Sequence, residues 1–418
     1  MTYEFQYLMH LLGAASRGTA AQQPERELNW ELLIQRAENQ TLMPLICDVL
    51  ASVCPDTIMA GRKEKAKLKA MKECAKRLMV INLLSELENA GLHAVVVKGS
   101  IAAVHYASPE NRFSTDTDIW VDPADEDAVC DFLSNRGFSV ELRRNNGHHA
   151  VAKHPAMGVL EVHVKLYDEI VEDVWFAKID PSDFVVEPHQ KIMTSEGPCY
   201  TLGNTDHLIF IILHMIKHFI SSGMSLRMMM DTALFFRAHK DDVDLERLWS
   251  VLKELRFEQL TSAILWAMVR FCGFAPEDFP GIGPEMTEQI ETLLTDVETG
   301  GFLGHSDGEV RRESQLEYNR QMLVKDKGKL GYQLYMIQSK HSFKLSTLFP
   351  GKKRMLPDYP YLKKHPWLLP VAWLHRLIFR GGALLKGNKL TENIVSNEDA
   401  ISDESKARVE MFKSFNMI

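Results

Sequence analysis

The chain has 418 residues, enough for two to four compact units that bury a substantial core. Hydrophobic residues make up 45% and charged residues 25%, values that are typical of folded water-soluble proteins and exclude a fibrous or disordered chain. The net charge of −8 excludes a globally basic nucleic-acid coat, so any binding of anions must depend on local basic patches.

The first ninety residues are predicted to be mainly helical, because apolar side chains recur every three or four positions. The period then changes, and between 91 and 203 short runs of β-branched or alternating residues predict strands. The predicted strands are His93–Val97, Thr117–Val121, Phe138–Leu142, His149–Lys153 and Val159–Leu166.

From Thr205, which is a candidate helix cap, strong helical patterns follow one another to about residue 300. The remainder is mixed helix and loop, and we expect the last thirty polar residues to be partly disordered. The predicted fold is therefore α+β: a small mixed β-sheet core flanked by N-terminal and C-terminal helical domains. The predicted divisions are a helical cap (1–90), the sheet core (91–203), a helical bundle (204–300) and a mixed helical extension with a polar tail (301–418).

The six cysteines form no closely spaced pair of the kind that binds zinc or builds a disulfide framework. The first residues lack a basic segment before their apolar stretch, and the apolar run at 366–379 is shorter than the ~20 residues that cross a bilayer. We therefore expect reduced thiols, a cytoplasmic location, no signal peptide and no transmembrane segment.

Three acidic residues carry the functional prediction. Asp116 and Asp118 are separated by one residue, so on a strand both carboxylates project to the same side. Glu161 shares one face of a later alternating strand with His163 and Lys165. Oxygen ligands of this type suit Mg²⁺ or Mn²⁺, and three of them are enough for a two-metal site. Asp168 and Glu169 are alternatives to Glu161 as the third acid.

A glycine turn precedes the acids. Gly99 lets the backbone approach a phosphate closely, and Ser100 with the helix that follows supplies hydrogen-bond donors. Lys98 and Arg112 are candidates to neutralise further negative charge.

This arrangement resembles the DNA polymerase β-like nucleotidyltransferase superfamily, in which a Gly-Ser turn precedes an Asp-x-Asp strand and a later strand carries a third acid. Within it, the chain looks like the bacterial uncharacterised nucleotidyltransferase family with a KG…R…DxD…ELH signature. The residues concerned are Lys98-Gly99, Tyr106, Arg112, Asp116-Thr117-Asp118, His149 and Glu161-Val162-His163. The resemblance covers about residues 5–380. Fifteen residues separate Ser100 from Asp116, more than is usual, and a lysine precedes the glycine, so phosphate handling is expected to differ from better-known members.

The resemblance implies a metal-dependent transfer of a nucleoside monophosphate from an NTP to an acceptor hydroxyl or phosphate. Asp116, Asp118 and Glu161 would bind the metal and act in catalysis. Phosphates would be held by Lys98, Gly99, Ser100 and Arg112. The helix after Thr205 would lean over the cleft and offer Lys217 or His218 to a phosphate. His149, His163 and His218 are possible substrate-binding residues.

Several of these residues also have a purely structural interpretation. An Asp-x-Asp pair alone is usually a turn or a helix cap, and an isolated histidine is more often part of the packing. His207, His214 and His218 fall near one helical face, a spacing that is also compatible with zinc. Arg227 and Asp231 are predicted to form a surface ion pair, and Met228 to Met230 to pack in the core.

Two segments are basic in an otherwise acidic chain. Residues 62–77 carry eight Lys or Arg against two Glu, and are predicted to be a solvated helical face because the lysines scatter around the helix. Residues 340–386 carry ten Lys or Arg against one Asp, interspersed with Trp and Tyr. This second stretch is compatible with peripheral contact with an anionic membrane or a polyanion, and a nucleic-acid partner is a weaker possibility.

Two other functions remain open from sequence alone. One is a non-catalytic protein that retains the fold and binds a nucleotide as a regulator. The other is a nucleotidyltransferase of the toxin–antitoxin kind that modifies protein or tRNA. The acceptor, the choice of NTP and the oligomeric state are not determined by the sequence.

Overall fold

The computed structural model describes residues 1–141, 149–164, 185–301, 308–322 and 402–418, with short pieces at 324–325, 328, 355, 359–362 and 365–375. Seven strands form one sheet in the order β3-β4-β5-β2-β1-β7-β6. The pairs β2/β5 and β1/β7 are parallel and the others antiparallel, so the sheet is mixed. The strands are β1 (Ala94–Val96), β2 (Asp116–Val121), β3 (Ser139–Glu141), β4 (His149–His154), β5 (Gly158–His163), β6 (Gln190–Met193) and β7 (Pro198–Thr201).

Helices precede and follow the sheet along the chain, which confirms the predicted α+β class. Five precede it: α1 (Tyr3–Arg17), α2 (Trp30–Asn39), α3 (Met43–Leu50), α4 (Asp56–Met59) and α5 (Arg62–Asn89). Between the strands, the described residues form α6 (Ser100–Ala103) and α7 (Glu126–Asn135). After the sheet, the part of the chain up to residue 301 forms α8 (Asn204–Ser221), α9 (Leu226–His239), α10 (Leu245–Glu254), α11 (Glu258–Cys272) and α12 (Thr287–Gly300). Residues 308–322 are also helical, and a C-terminal helix spans Asp403–Ser414.

The first and last parts of the chain share one hydrophobic core with the sheet. Helix α1 packs against both α3 and α11, and the backbones of α1 and α11 approach so closely that a Cβ on Gly13 would lie 2.2 Å from the carbonyl oxygen of Cys272. Buried apolar residues from the first helix to the last, including Phe5 and Met417, belong to this cluster, and Met355, Tyr359, Leu362 and Ala372 form a second, smaller one. The division into four domains stays a prediction.

The start of α8 differs from the prediction. The helix begins at Asn204 after Gly203, and Thr205 is not its cap. The Thr205 hydroxyl instead accepts a hydrogen bond from the backbone N–H of Asp244 at the start of α10. Met229 and Met230 of α9 are fully buried, which confirms the prediction that this methionine run packs in the core.

Part of the C-terminal stretch that is expected to be partly disordered is ordered, namely residues 402–418. They form a helix whose cap, Ser402, accepts a hydrogen bond from Ser405, and its apolar side chains, among them Val409 and Phe412, are buried. A few buried apolar side chains at helical spacing are enough to anchor a mostly polar segment, and the overall polarity of the segment does not reveal them. Residues 376–401 lie outside the described parts.

None of the six cysteines forms a disulfide bond. Across the described residues, no helix combines the length and the apolar character needed to span a bilayer. Most of the basic stretch at 340–386 lies outside the described parts. The piece at 365–375 exposes Trp367, Val371 and Leu374. Peripheral contact of this stretch with a membrane or a polyanion stays a prediction.

Candidate active site

The register of two parallel strands brings the predicted acids together. Strand β2 pairs with β5 so that Asp118 lies directly beside Glu161, and Trp120 beside His163. Neighbouring residues in register point to the same side of a sheet, and so do residues two apart on one strand. Asp116, Asp118, Glu161 and His163 therefore share one face at the centre of the sheet. Lys165, the next residue of that face, lies outside the described parts.

Asp118, Glu161 and His163 form a compact ligand cluster, in which one atom from each residue lies within 4.8 Å of the others. His163 Nε2 is 3.0 Å from Asp118 Oδ1 and 3.4 Å from Glu161 Oε2. Asp118 is 1% exposed, and its second oxygen, Oδ2, is buried with no hydrogen-bond partner. An unpartnered anionic oxygen beside a second carboxylate and an imidazole fits the donor set of a divalent cation.

Asp116 is set slightly apart from that cluster. It is half-exposed at the start of β2, and the Thr115 hydroxyl donates a hydrogen bond of 3.2 Å to its Oδ1. Its charge still contributes to raising the pKa of Lys98 and opposes the lowering of the pKa of Lys76, so it lies within electrostatic reach of both. Asp116 thus forms the solvent-facing edge of the acidic site.

Lys98 is the counter-charge of the site. It follows β1, and its Nζ lies 2.9 Å from Asp118 Oδ1. Burial alone would lower the pKa of Lys98, but the charges of Asp118, Asp116 and Glu161 outweigh burial and raise it. Burial likewise raises the pKa of Asp118, and Lys98 and His163 more than reverse this, so it stays far below its usual range. Asp118 is therefore ionised at any physiological pH.

The imidazole of His163 lies between two carboxylates, and its Nε2 contacts both of them. Burial lowers its pKa, while hydrogen bonds to Asp118 and Glu161 raise it above the ordinary value. Strand β4 pairs with β5 so that the backbone of His149 lies opposite His163. The side chain of His149 lies outside what the structure describes, so its predicted role in substrate binding stays a prediction.

The predicted glycine turn is present. Gly99 has φ of +69° and ψ of −97°, a left-handed conformation that a residue with a Cβ adopts only with strain. The turn reverses the chain between β1 and the one-turn helix α6, and it leaves the Ser100 side chain buried and the Lys98 side chain directed at Asp118. The placement of a phosphate at this turn stays a prediction.

Helix α8 faces the acids with a row of polar groups. Lys98 Nζ is 3.3 Å from His214 Nε2, which is 3.1 Å from His218 Nε2, and His218 Nδ1 is 2.9 Å from the Ser222 hydroxyl. Burial is the main cause, and the charge of Lys98 the second, of the low pKa values of His214 and His218. The pKa of His214 lies well below its usual value, and that of His218 is lowered to about 3. Both imidazoles are therefore neutral at pH 7.

Lys217 is half-buried on the same side of α8, and its charge contributes to lowering the pKa of His218. This side of α8 therefore lies close to Lys98 and the acids. The predicted role of Lys217 and His218 in binding phosphates stays a prediction. His207 does not belong to this row: it is buried, lies 3.1 Å from the Thr201 hydroxyl and packs against Phe235. His214 was not among the predicted site residues, although its four-residue spacing from His218 was visible in the sequence.

Arg112 has a different partner from the one predicted. It is 4% exposed and donates hydrogen bonds of 3.2 and 2.5 Å to the two oxygens of Asp231 on α9. The Tyr106 hydroxyl donates a third hydrogen bond, of 2.7 Å, to the same carboxylate. The prediction that Asp231 forms a surface pair with Arg227 is therefore wrong, because Asp231 is buried and neutralises Arg112. Arg227 is also buried and donates to the carbonyl of Phe113.

The prediction for residues 62–77 is also wrong in part. Lys76 is half-buried, and its Nζ lies 2.6 Å from the carbonyl oxygen of Ser114 and 3.1 Å from Glu73. Arg77 is buried and pairs with Glu196. One edge of this helix thus contacts the segment that leads into Asp116, and the remaining exposed lysines are solvated as predicted.

A mixed sheet with an Asp-x-Asp strand, a third carboxylate on the adjacent parallel strand and a preceding glycine turn defines the nucleotidyltransferase class. The family model described as uncharacterised nucleotidyltransferase matches residues 26–273, more than half of the chain, and the chain belongs to this family. The protein is therefore an enzyme, a nucleotidyltransferase. The match extends from just before α2 to the end of α11. No curated protein and no solved structure matches the chain.

Proposed function

We propose that the enzyme transfers a nucleoside monophosphate from an NTP to a hydroxyl or phosphate group of an acceptor, with Mg²⁺ or Mn²⁺ as cofactor. The observation that carries the proposal is the direct pairing of Asp118 with Glu161 across β2 and β5. This pairing leaves Asp118 Oδ2 buried without a hydrogen-bond partner. A bound cation would relieve the cost of that desolvated oxygen, which supports a metal site formed by Asp116, Asp118 and Glu161.

The acidic residues divide the chemistry between them. A divalent cation held there supplies charge that polarises the α-phosphate and steadies the leaving pyrophosphate. Glu161, at the less buried end of the cluster, takes the proton when the acceptor is a hydroxyl. The acceptor oxygen forms a bond to the α-phosphorus, the bond from that phosphorus to the β-bridging oxygen breaks, and its electron pair leaves with pyrophosphate. A phosphate acceptor needs no proton transfer.

The basic and polar residues around the acids hold the NTP. Lys98, with the backbone of Gly99 and the Ser100 hydroxyl, is assigned to the phosphates. Lys217 and His218 on the overhanging face of α8 are assigned to the same phosphates from the other side. His163 fixes the orientation of Asp118 and Glu161, since its Nε2 contacts both carboxylates. Arg112 is left out, because it is sequestered by Asp231.

Asp116→Asn is the sharpest test of this function. Asp116 is half-exposed and its described hydrogen bond is with Thr115, so the substitution should preserve the fold while it weakens metal binding. With α-labelled NTP, Mg²⁺ and separate RNA, protein and small-molecule fractions as acceptors, we expect transfer of label to fall about 100-fold or more.

Asp131→Asn on the exposed side of α7 is the matched control, and it should transfer label like the wild type. Melting curves should coincide for all three proteins. Equal transfer by Asp116→Asn and the wild type would refute the assignment of Asp116 to the metal. Asp118→Asn is a poorer probe, since it would leave the buried Lys98 ammonium without its counter-charge.

A further inference from the structure

A row of four lysines runs along one edge of α5 toward the acidic site. Lys65, Lys69, Lys72 and Lys76 are spaced by four, three and four residues, so they share one face of the helix. The row is about 16 Å long, because its ends are eleven positions apart on a helix that rises ~1.5 Å per residue. It follows the border between the buried and the exposed faces of α5: Lys65 and Lys72 are exposed, and Lys69 and Lys76 are partly buried.

The inner end of this lysine row contacts the segment that enters β2. Lys69 Nζ lies 4.3 Å and Lys76 Nζ 5.6 Å from the centre of the Phe113 ring. Lys76 also donates to the carbonyl oxygen of Ser114, two residues before Asp116. The row therefore ends beside the half-exposed Asp116.

Several cationic groups lie close together at this end of the row. Burial, and next the charge of Arg227, lower the pKa of Lys69, against which Glu73 acts in the opposite direction. Glu73 is itself engaged by Lys76 at 3.1 Å, and Asp231 is engaged by Arg112. An added anion at Lys69 would gain attraction from several cations that are already desolvated.

We propose that the lysine row binds the phosphates of a single-stranded nucleic acid and leads its end to Asp116. The proposal rests on the proposed function, because it identifies the strand as the acceptor. The length of the row exceeds what one phosphate group requires, and regularly spaced cations match a chain of regularly spaced phosphates. A slender strand reaches the half-buried Lys69, whereas a flat bilayer does not.

Two pairs of substitutions on the same helix test the proposal. Lys65→Ala with Lys72→Ala removes two exposed lysines of the row, and neither touches the acidic site. Lys63→Ala with Lys67→Ala removes two exposed lysines that helical spacing places on the opposite side of α5. The probe is a fluorescein-labelled 12-nucleotide RNA, and binding is measured by fluorescence anisotropy without NTP over a range of salt concentrations.

We expect the Lys65/Lys72 pair to weaken binding about tenfold at low salt and to reduce the slope of log affinity against log salt by about 1.4. The Lys63/Lys67 pair should stay within about twofold of the wild type. Equal weakening by both pairs, or no binding of RNA by the wild type, would overturn the proposal.

A membrane is the competing partner, because Leu68 and Met71 are exposed on the outward face of α5. Vesicles with and without anionic lipid are therefore tested beside the RNA. The proposal would also be overturned if the protein bound anionic vesicles through Lys65 and Lys72 but did not bind RNA. Asp116→Asn should bind RNA like the wild type. RNA binding by a wild-type enzyme that transfers no label would count against the proposed function alone. RNA binding that does not depend on Lys65 and Lys72 would count against the lysine row alone.

Discussion

At the scale of single residues, the most informative side chain is Lys98. Its ammonium group contacts Asp118 and is stabilised by the charges of Asp116 and Glu161, so a positive charge already stands among the acids that would bind a metal. A divalent cation and this ammonium group repel each other at such short range. Lys98 is expected to move toward the NTP phosphates or His214 when a metal binds.

Lys98→Met should therefore raise the affinity for Mn²⁺ in the absence of nucleotide, by about tenfold or more, since it removes a nearby like charge. Without metal the variant should melt at a lower temperature than the wild type, because Asp118 loses its counter-charge. Adding Mn²⁺ should remove this difference in melting temperature. Isothermal calorimetry and thermal melting measure the two effects.

The matched control for this experiment is Lys191→Met, which removes a lysine from an exposed pair with Glu88. It should change neither the affinity for Mn²⁺ nor the response of the melting temperature to the metal. If Lys98→Met bound Mn²⁺ no more tightly than the wild type, the competition between lysine and metal would be refuted.

Single residues also show where sequence reasoning succeeds. Asp118 and Glu161 were predictable as partners, because alternation along each strand fixes the face to which a side chain points. Arg112 was not, because its partner Asp231 is 119 residues away and nothing local distinguishes an arginine that binds phosphate from one that pairs with a carboxylate. The same limit applies to Lys98, whose contact with Asp118 depends on how β1 is placed beside β2.

At the scale of elements, a buried polar link joins the loop before β2 to helix α9. Asp231 accepts hydrogen bonds from the Tyr106 hydroxyl and from Nε and Nη2 of Arg112. Burial, and next Asp231, raise the pKa of Tyr106 well above its usual value, so the phenol stays a hydrogen-bond donor. This link fixes the segment that carries Ser114 and Asp116 relative to the helical bundle.

Asp231→Ala should lower the free energy of unfolding by about 3–5 kcal/mol, because it leaves a buried guanidinium group unpaired. Tyr106→Phe removes one neutral donor and should cost about 1 kcal/mol. Urea denaturation measures both values.

Asp242→Ala is the control for that series. Asp242 lies just past the end of α9 in an exposed position, 3.9 Å from His239, so its removal should change stability by less than about 0.5 kcal/mol. If Asp231→Ala lowered the free energy of unfolding no more than Asp242→Ala, the buried link between Asp231, Arg112 and Tyr106 would not stabilise the folded protein.

At the scale of the whole molecule, the C-terminal helix braces the helix that overhangs the site. Arg408 is buried and donates hydrogen bonds to the carbonyls of Phe219 and Ile220 at the end of α8, and it pairs with Asp296 of α12 at 3.0 Å. The rings of Phe412 and Phe219 lie 5.4 Å apart. The last residues of the chain thus stabilise the end of α8 that carries His218.

Phe412→Ala should lower the free energy of unfolding by about 3–5 kcal/mol even though it lies six residues from the end of the chain, because the ring is fully buried. Lys406→Ala, an exposed position on the same helix, should leave stability within about 0.5 kcal/mol. Chemical denaturation compares the two. A Phe412→Ala protein as stable as Lys406→Ala would show that the C-terminal helix does not pack on the core in solution.

The sequence by itself determined the α+β class, the strands of the site, the glycine turn at Gly99 and the face shared by the acids. These features depend on local periodicity and on the conformational freedom of glycine, which are properties of neighbouring residues. Only the tertiary structure decided that Lys98 neutralises Asp118, that Asp231 sequesters Arg112, that His214 joins the site and that one edge of α5 leads to Asp116. These contacts join residues far apart in the chain, and their geometry is set by strand register and helix packing, which no local pattern encodes.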